Sequence, residues 1–210
     1  LQAPDAGEAP PAGPLLRAAR HSVPLLLAFS TLMTADVILA KRYFDPLVAG
    51  QFAQAATLGR MILWLPLPIA QVMFPKVVHE GSARPEQRRT LFKALAYTLL
   101  LILLTLTAGW FAAPLLLKAV YGLEALPPGQ LQWFRSTAIA MALLGPVYML
   151  LQYELARGKI RRMLPLCLLA PLFPLGAHYL HQSPQQLLSL LIGLNAAALL
   201  SCLPALRKQA

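Results

Sequence analysis

Long apolar runs separated by short polar stretches dominate this 210-residue chain. Most runs are close to the ~20 residues that an α-helix needs to cross a ~30 Å hydrocarbon core. The strict alternation of apolar and polar residues that is typical of membrane β-barrels is not seen. The pattern therefore predicts an all-α integral membrane protein, a bundle of six transmembrane helices. The predicted spans are residues 22–40, 51–75, 94–117, 136–155, 163–180 and 185–203.

Prolines distinguish two of these spans. The second is longer than the others and carries Pro66 and Pro68, so it is expected to kink or tilt. The fifth contains Pro165, Pro171 and Pro174, which a soluble core helix would tolerate poorly. In a membrane bundle, neighbouring helices can satisfy the carbonyls that such prolines free.

Composition supports a lipid environment. Hydrophobic residues make up 58% of the chain and charged residues 12%, against roughly 45–50% and ~25% in soluble domains. A net charge of +10 could indicate a nucleic-acid partner. The basic residues lie in short clusters between apolar runs, however, so we expect membrane lipid and no nucleic acid as the partner.

The distribution of Lys and Arg predicts the orientation, because cytoplasmic loops are rich in both. Arg60 lies inside a predicted span, and the other basic residues divide unequally between the two sides. The richer side, taken as cytoplasmic, holds Arg17, Arg20, Lys76, Arg84, Arg88, Arg89, Lys93, Arg157, Lys159, Arg161, Arg162, Arg207 and Lys208, and the other holds Lys41, Arg42, Lys118 and Arg135. Both termini are then expected in the cytoplasm.

Residues 1–14 differ from the rest because they contain four prolines and no Lys or Arg. They are predicted to form a disordered linker, and residues 15–210 the bundle. The chain has no initiator Met, so we expect it to come from a longer protein.

Motifs of catalysis and metal binding do not occur in the sequence, which has no G-x-S-x-G, H-E-x-x-H, Walker loop or C-x-x-C. His178 and His181 could share a helix face, but two interfacial side chains explain them better than a metal site. We therefore expect neither an enzyme nor a cofactor.

Two charges lie deep inside the predicted spans and are the strongest candidates for function. Asp36 is roughly 8 Å inside one end of the first span, and Arg60 roughly 13 Å inside the same end of the second. An acid near the membrane centre costs ~2.5–3.5 kcal/mol on insertion scales. The two could form an ion pair that orients antiparallel helices, or handle a substrate or ion; Arg60 could also extend towards the lipid surface.

Other polar residues share helix faces with these charges or with one another. At 100° per residue, Trp64 and Gln71 lie on the same helix face as Arg60. That face could form either a close contact with another helix or the wall of a cavity. Tyr148 and Gln152 form a polar pair at i,i+4 in the fourth span, which interhelical hydrogen bonding also explains. Glu154 is expected to form an interfacial salt-bridge set with Arg157 and Arg161.

Three stretches resemble a known family. They are residues 35–41 (ADVILAK), 49–60 (AGQFAQAATLGR) and 72–76 (VMFPK), with AVYG at 119–122 resembling a later turn. They are similar to the start of the second half of oligosaccharide flippases in the multidrug/oligosaccharidyl-lipid/polysaccharide exporter superfamily. Beyond residue 122, the similarity is one of hydropathy alone.

The resemblance implies the second six-helix bundle of a two-bundle transporter in the bacterial cytoplasmic membrane. Its partner would be the N-terminal six-helix half, and its cargo a lipid-linked glycan with an anionic pyrophosphate. Arg60, Trp64, Gln71, Tyr148 and Gln152 are then the candidate substrate-binding residues, and Asp36 a candidate for ion coupling or ion pairing. Two alternatives stay open: a cation-coupled drug exporter of the same superfamily, and a membrane scaffold subunit that transports nothing.

Overall fold

The structure, a computed structural model, describes residues 12–64, 66–79 and 84–203. These residues are almost entirely helical, and no strand occurs among them. The helices are α1 (Ala12–Tyr43), α2 (Pro46–Gly59), α3 (Met61–Trp64), α4 (Pro66–His79), α5 (Arg84–Tyr121), α6 (Gln130–Ala156), α7 (Leu164–Tyr179) and α8 (Pro184–Cys202), and a 3-10 turn, Ile160–Met163, precedes α7.

Five stretches of the described chain are long and apolar enough to cross a membrane, which indicates a membrane protein. They are Ser22–Tyr43, Pro46–His79, Glu86–Tyr121, Gln130–Ala156 and Pro184–Cys202, with mean hydropathies between 1.5 and 2.2. All five overlap predicted spans. The all-helical prediction is confirmed, whereas the count of six spans and the placement in a membrane stay predictions.

The fifth predicted span, residues 163–180, corresponds to the short helix α7. Its 16 residues extend about 24 Å at 1.5 Å per residue, less than the ~30 Å hydrocarbon core. The 3-10 turn before Leu164 and the non-helical backbone at Leu180 (φ −113°, ψ 61°) limit its length. Hydropathy alone does not reveal these ends.

The second predicted span, expected to kink or tilt, contains a one-residue turn at Arg60. Helix α2 ends at Gly59, α3 begins at Met61, and α4 begins at Pro66. Residue 65, between α3 and α4, lies outside the described residues. The turn at Arg60, where the Leu63 N–H bonds to the Arg60 carbonyl at 2.9 Å, has no proline beside it in the sequence.

Helix α6 is the centre of the bundle. It packs against α2, α4, α5 and α8, and 72% of its most apolar stretch is buried, against 11% for α5. Two glycines permit close packing at this centre. A β-carbon on Gly59 would lie 2.9 Å from Thr137 Cβ, and one on Gly145 would lie 2.6 Å from Ile102 Cδ1.

The predicted linker falls almost wholly outside the described residues, which begin at residue 12 with helix α1. Part of the stretch between the second and third predicted spans, residues 76–93, which is expected in the cytoplasm, is helical, because α4 continues to His79 and α5 begins at Arg84. Residues 80–83 of that stretch lie outside the described residues.

Candidate functional site

The two charged residues that the sequence predicts to lie inside the membrane meet in the structure. Helices α1 and α2 pack against each other, and Arg60 Nη2 donates to Asp36 Oδ1 in a buried ion pair. Arg60 Nε also donates to the Met33 carbonyl at 2.8 Å. The guanidinium therefore bridges Met33 and Asp36, which are three residues apart and on one face of α1.

Each partner of this pair keeps hydrogen-bonding capacity. Asp36 is fully buried, and its second oxygen, Oδ2, has no hydrogen-bond partner among the described residues. The hydrogen bonds of Arg60 within the described chain use Nε and Nη2, so Nη1 remains available. The Arg60 side chain is 10% exposed, so a small part of it is accessible from the surface of the described chain.

The interruption between α2 and α3 determines where Arg60 lies. Gly59, the last residue of α2, packs against Thr137 of α6 so closely that the Phe134 carbonyl would be 3.0 Å from a β-carbon there. The absence of a side chain at Gly59 lets α2 reach α6, and Arg60 then follows at the turn. Its side chain extends to α1, so the turn joins three helices at one point.

Trp64 and Gln71 do not join the buried pair. Trp64 is 51% exposed, and Gln71 is also exposed. The expectation of one shared face assumed a regular helix from Arg60 to Gln71, whereas the structure has a turn at Arg60 before α3. Both residues lie on the surface of the described chain, where their role in substrate binding stays a prediction.

Tyr148 and Gln152 lie further along the bundle. Both are partly buried, and the Tyr148 ring packs on Phe29 of α1 with a centroid distance of 5.0 Å. Phe29 precedes Asp36 by seven residues, or about 10 Å along α1. The structure therefore places Tyr148 beside the same helix as Asp36, but about two turns away from the ion pair.

Glu154 forms a different ion pair from the expected one. It is buried, and Arg162 Nη1 lies 3.4 Å from its Oε1. The expected partners are placed otherwise: Arg157 lies over the Tyr153 ring at 5.2 Å, and Arg161 is exposed. The expectation of Arg157 and Arg161 assumed that α6 continued past Ala156, whereas the chain turns there and presents Arg162.

Buried polar contacts that the sequence analysis did not single out connect α6 to its neighbours. Asn195 of α8 is buried and donates from Nδ2 to the Ala140 carbonyl at 2.9 Å. Gln130, also buried, donates from Nε2 to Gln54 Oε1 at 2.9 Å. Asn195 could have been found as the one amide in the interior of the apolar span 185–203, because such residues tend to bond across membrane helices.

The two histidines near the end of α7 lie among aromatic rings. His181 stacks on Tyr43 with a centroid distance of 4.5 Å, and the His178 and His181 rings are 6.4 Å apart. In the described parts of the chain, no group of three or more His, Cys, Asp or Glu comes together as a metal site would need.

Comparison with models of protein families, with curated proteins and with solved structures finds no match to this chain. The resemblance to oligosaccharide flippases rests on the residues quoted for it. The pair of Asp36 and Arg60, both within those stretches, is the feature of the fold with the clearest chemical capacity. A buried guanidinium with an available N–H group can bind an anion, and a buried carboxylate oxygen without a partner can bind a proton or a cation.

Proposed function

We propose that this chain forms one half of a membrane transporter that moves a lipid-linked oligosaccharide from the cytoplasmic to the outer leaflet. The cargo would carry a pyrophosphate, as undecaprenyl-pyrophosphate-linked glycans do, and the membrane would be the bacterial inner membrane. The proposal includes six spans, cytoplasmic termini and a partner bundle as the other half. The buried Arg60, with Nη1 available beyond its bonds to α1, is the observation that carries it.

Arginine suits this task for a physical reason. Its planar guanidinium matches the spacing of phosphate oxygens, and its charge persists in a low-dielectric site. Asp36 compensates that charge in the absence of cargo, since an unpaired buried charge is costly. A pyrophosphate near Nη1 would share the guanidinium with Asp36, and further cations would have to come from the partner bundle.

Polar groups on exposed surfaces support a hydrated wall facing a partner. Ser30 and Thr34 are exposed on α1, where the other exposed residues from Val23 to Ile38 are apolar, and the Thr34 hydroxyl donates to the Ser30 carbonyl at 2.8 Å. Trp64 and Gln71 are likewise exposed. Such groups are unfavourable against lipid tails and suit a water-filled cavity. In this proposal they line the cavity, with Tyr148 and Gln152 contacting the cargo further along.

A cation-coupled exporter is the second candidate, and one observation favours it. The Oδ2 atom of Asp36 is buried without a hydrogen-bond partner among the described residues. A proton or sodium ion at this oxygen would weaken the pair with Arg60 and could drive a change of state. Cation dependence of transport, with a drug and not a glycan as cargo, would favour this candidate.

The test is deletion of the gene in its host, followed by analysis of surface glycan and of the lipid fraction. The proposal predicts loss of surface polymer together with accumulation of its pyrophosphate-linked lipid precursor in the membrane. Complementation with the intact gene should reverse both. Unchanged surface glycan and precursor levels in the deletion strain would contradict the proposal.

A further inference from the structure

A small basic cavity lies where the end of α4 meets the beginning of α5. Its volume is about 220 Å³, and it is lined by Lys76, Glu86, Arg89, Thr90 and Lys93. Three of these five residues are cationic and one is acidic, so the cavity is electropositive. The ion pairs of Arg60 with Asp36 and of Arg162 with Glu154 lie elsewhere in the described chain.

The α5 side of this cavity continues into an exposed apolar strip. Arg89 and Lys93 are one turn apart, and the same face of α5 carries Tyr97, Leu100 and Leu104 at the next turns. These three are 60%, 53% and 57% exposed. The basic end of the helix is therefore followed by an apolar surface that nothing in the described chain covers.

The α4 side repeats this arrangement. Lys76 lines the cavity, and Val72, one turn earlier on the same face, is 72% exposed. Since α4 and α5 pack against each other, the charges of both helices meet at one end. The spatial order, a basic cavity followed by apolar surface, matches the structure of a phospholipid. Its phosphate lies at the membrane surface and its acyl chains lie deeper.

We propose that this cavity binds the phosphate of an anionic phospholipid, whose acyl chains then lie against α5. Arg89 provides the planar donor fork, and Lys76 and Lys93 provide point charges on either side. Basic pockets between transmembrane helices are known to suit anionic headgroups. Glu86 can accept a hydrogen bond from a headgroup hydroxyl, so a glycerol headgroup fits better than a zwitterionic choline.

The inference goes beyond the proposed transport and requires only that α4 and α5 end at a membrane surface. A free phosphate ion would use the same cations, because the recognised chemistry is the same. The adjoining apolar strips favour the lipid, since a soluble anion gains nothing from Tyr97, Leu100 or Val72. The experiment therefore includes both ligands.

The test is native mass spectrometry of the purified, delipidated chain in detergent at constant salt. Dioleoyl phosphatidylglycerol is titrated and compared with dioleoyl phosphatidylcholine, which has the same acyl chains, and with inorganic phosphate. We expect wild-type protein to bind phosphatidylglycerol about tenfold more tightly than phosphatidylcholine, given favourable contributions from three basic groups at the membrane surface. The variant Lys76→Gln/Arg89→Gln/Lys93→Gln should bind both lipids equally.

A matched control removes three exposed cations away from the cavity, in the variant Lys41→Gln/Arg42→Gln/Lys118→Gln. It should keep the preference of the wild type, and circular dichroism should show unchanged helicity for both variants. Equal loss of preference in the two variants would overturn the proposal, because net charge would then explain binding. Displacement of the lipid by stoichiometric inorganic phosphate would overturn it as well, in favour of a soluble anion.

Discussion

Gly59 of α2 and Thr137 of α6 are in such close contact that a β-carbon on Gly59 would lie 2.9 Å from Thr137 Cβ. The Phe134 carbonyl, 3.0 Å from the same position, belongs to backbone and cannot rotate away. This contact fixes the end of α2 against the central helix. Because Arg60 is the next residue, the contact also determines how Arg60 approaches Asp36.

Substitution Gly59→Ala is predicted to destabilise the fold by about 1–3 kcal/mol, the usual cost of overpacking. The gain in helix propensity, at most ~1 kcal/mol, does not offset a clash with backbone. The measurement is the unfolding free energy in detergent by denaturant titration. Gly50→Ala is the matched control, since Gly50 lies in the same helix with nothing within 4 Å of its β-carbon position. Equal stability of the two variants would contradict this contact.

The ion pair at the end of α6 gives a second prediction. Arg162→Gln should lower stability by about 1 kcal/mol or more, because it leaves the buried Glu154 without the Arg162 contact at 3.4 Å. Arg161→Gln should have little effect, since Arg161 is exposed. A double-mutant cycle with Glu154→Gln measures the coupling. Coupling of Glu154 to Arg161 and not to Arg162 would contradict the turn that the structure has after Ala156.

Topology can be tested with single cysteines placed in a background without Cys167 and Cys202. The Lys/Arg distribution predicts that residues 76–93 and 156–162 face the cytoplasm. Cysteines at the exposed positions Glu86 and Lys159 should then resist a membrane-impermeant maleimide in whole cells and react after lysis. A cysteine at the exposed Asp45 should react from outside. Efficient external labelling of the cysteine at position 86 would show that the orientation is the reverse of the predicted one.

Hydropathy and the cost of buried charge predicted much of this fold. The apolar runs predicted the helical class and the positions of five long helical stretches, and the depths of Asp36 and Arg60 predicted that they could meet. The turn at Arg60 was not predictable, because it lies beside the tertiary contact of Gly59 with Thr137, which local sequence does not reveal. The exposure of Trp64 and the pairing of Glu154 with Arg162 were likewise not predictable. They depend on the turns at Arg60 and after Ala156, which no local pattern indicates.

The proposed transport depends on Arg60 acting as more than a structural partner of Asp36. Removing one member of a buried ion pair leaves the other charge stranded, which typically costs 3–5 kcal/mol, whereas removing both relieves most of that cost. Arg60→Ala and Asp36→Ala should each reduce inserted protein, and the double variant should recover it. Arg60→Lys keeps the charge without the planar donor fork, so partial activity is expected.

The most direct measurement is surface glycan per unit of membrane-inserted protein for the intact transporter carrying Arg60→Ala, Asp36→Ala, both changes, or Arg60→Lys. If Arg60 contacts the pyrophosphate, the double variant inserts at near wild-type levels and exports no glycan. If the pair only joins α1 to α2, the double variant inserts and exports normally, and that result would contradict the proposed role of Arg60.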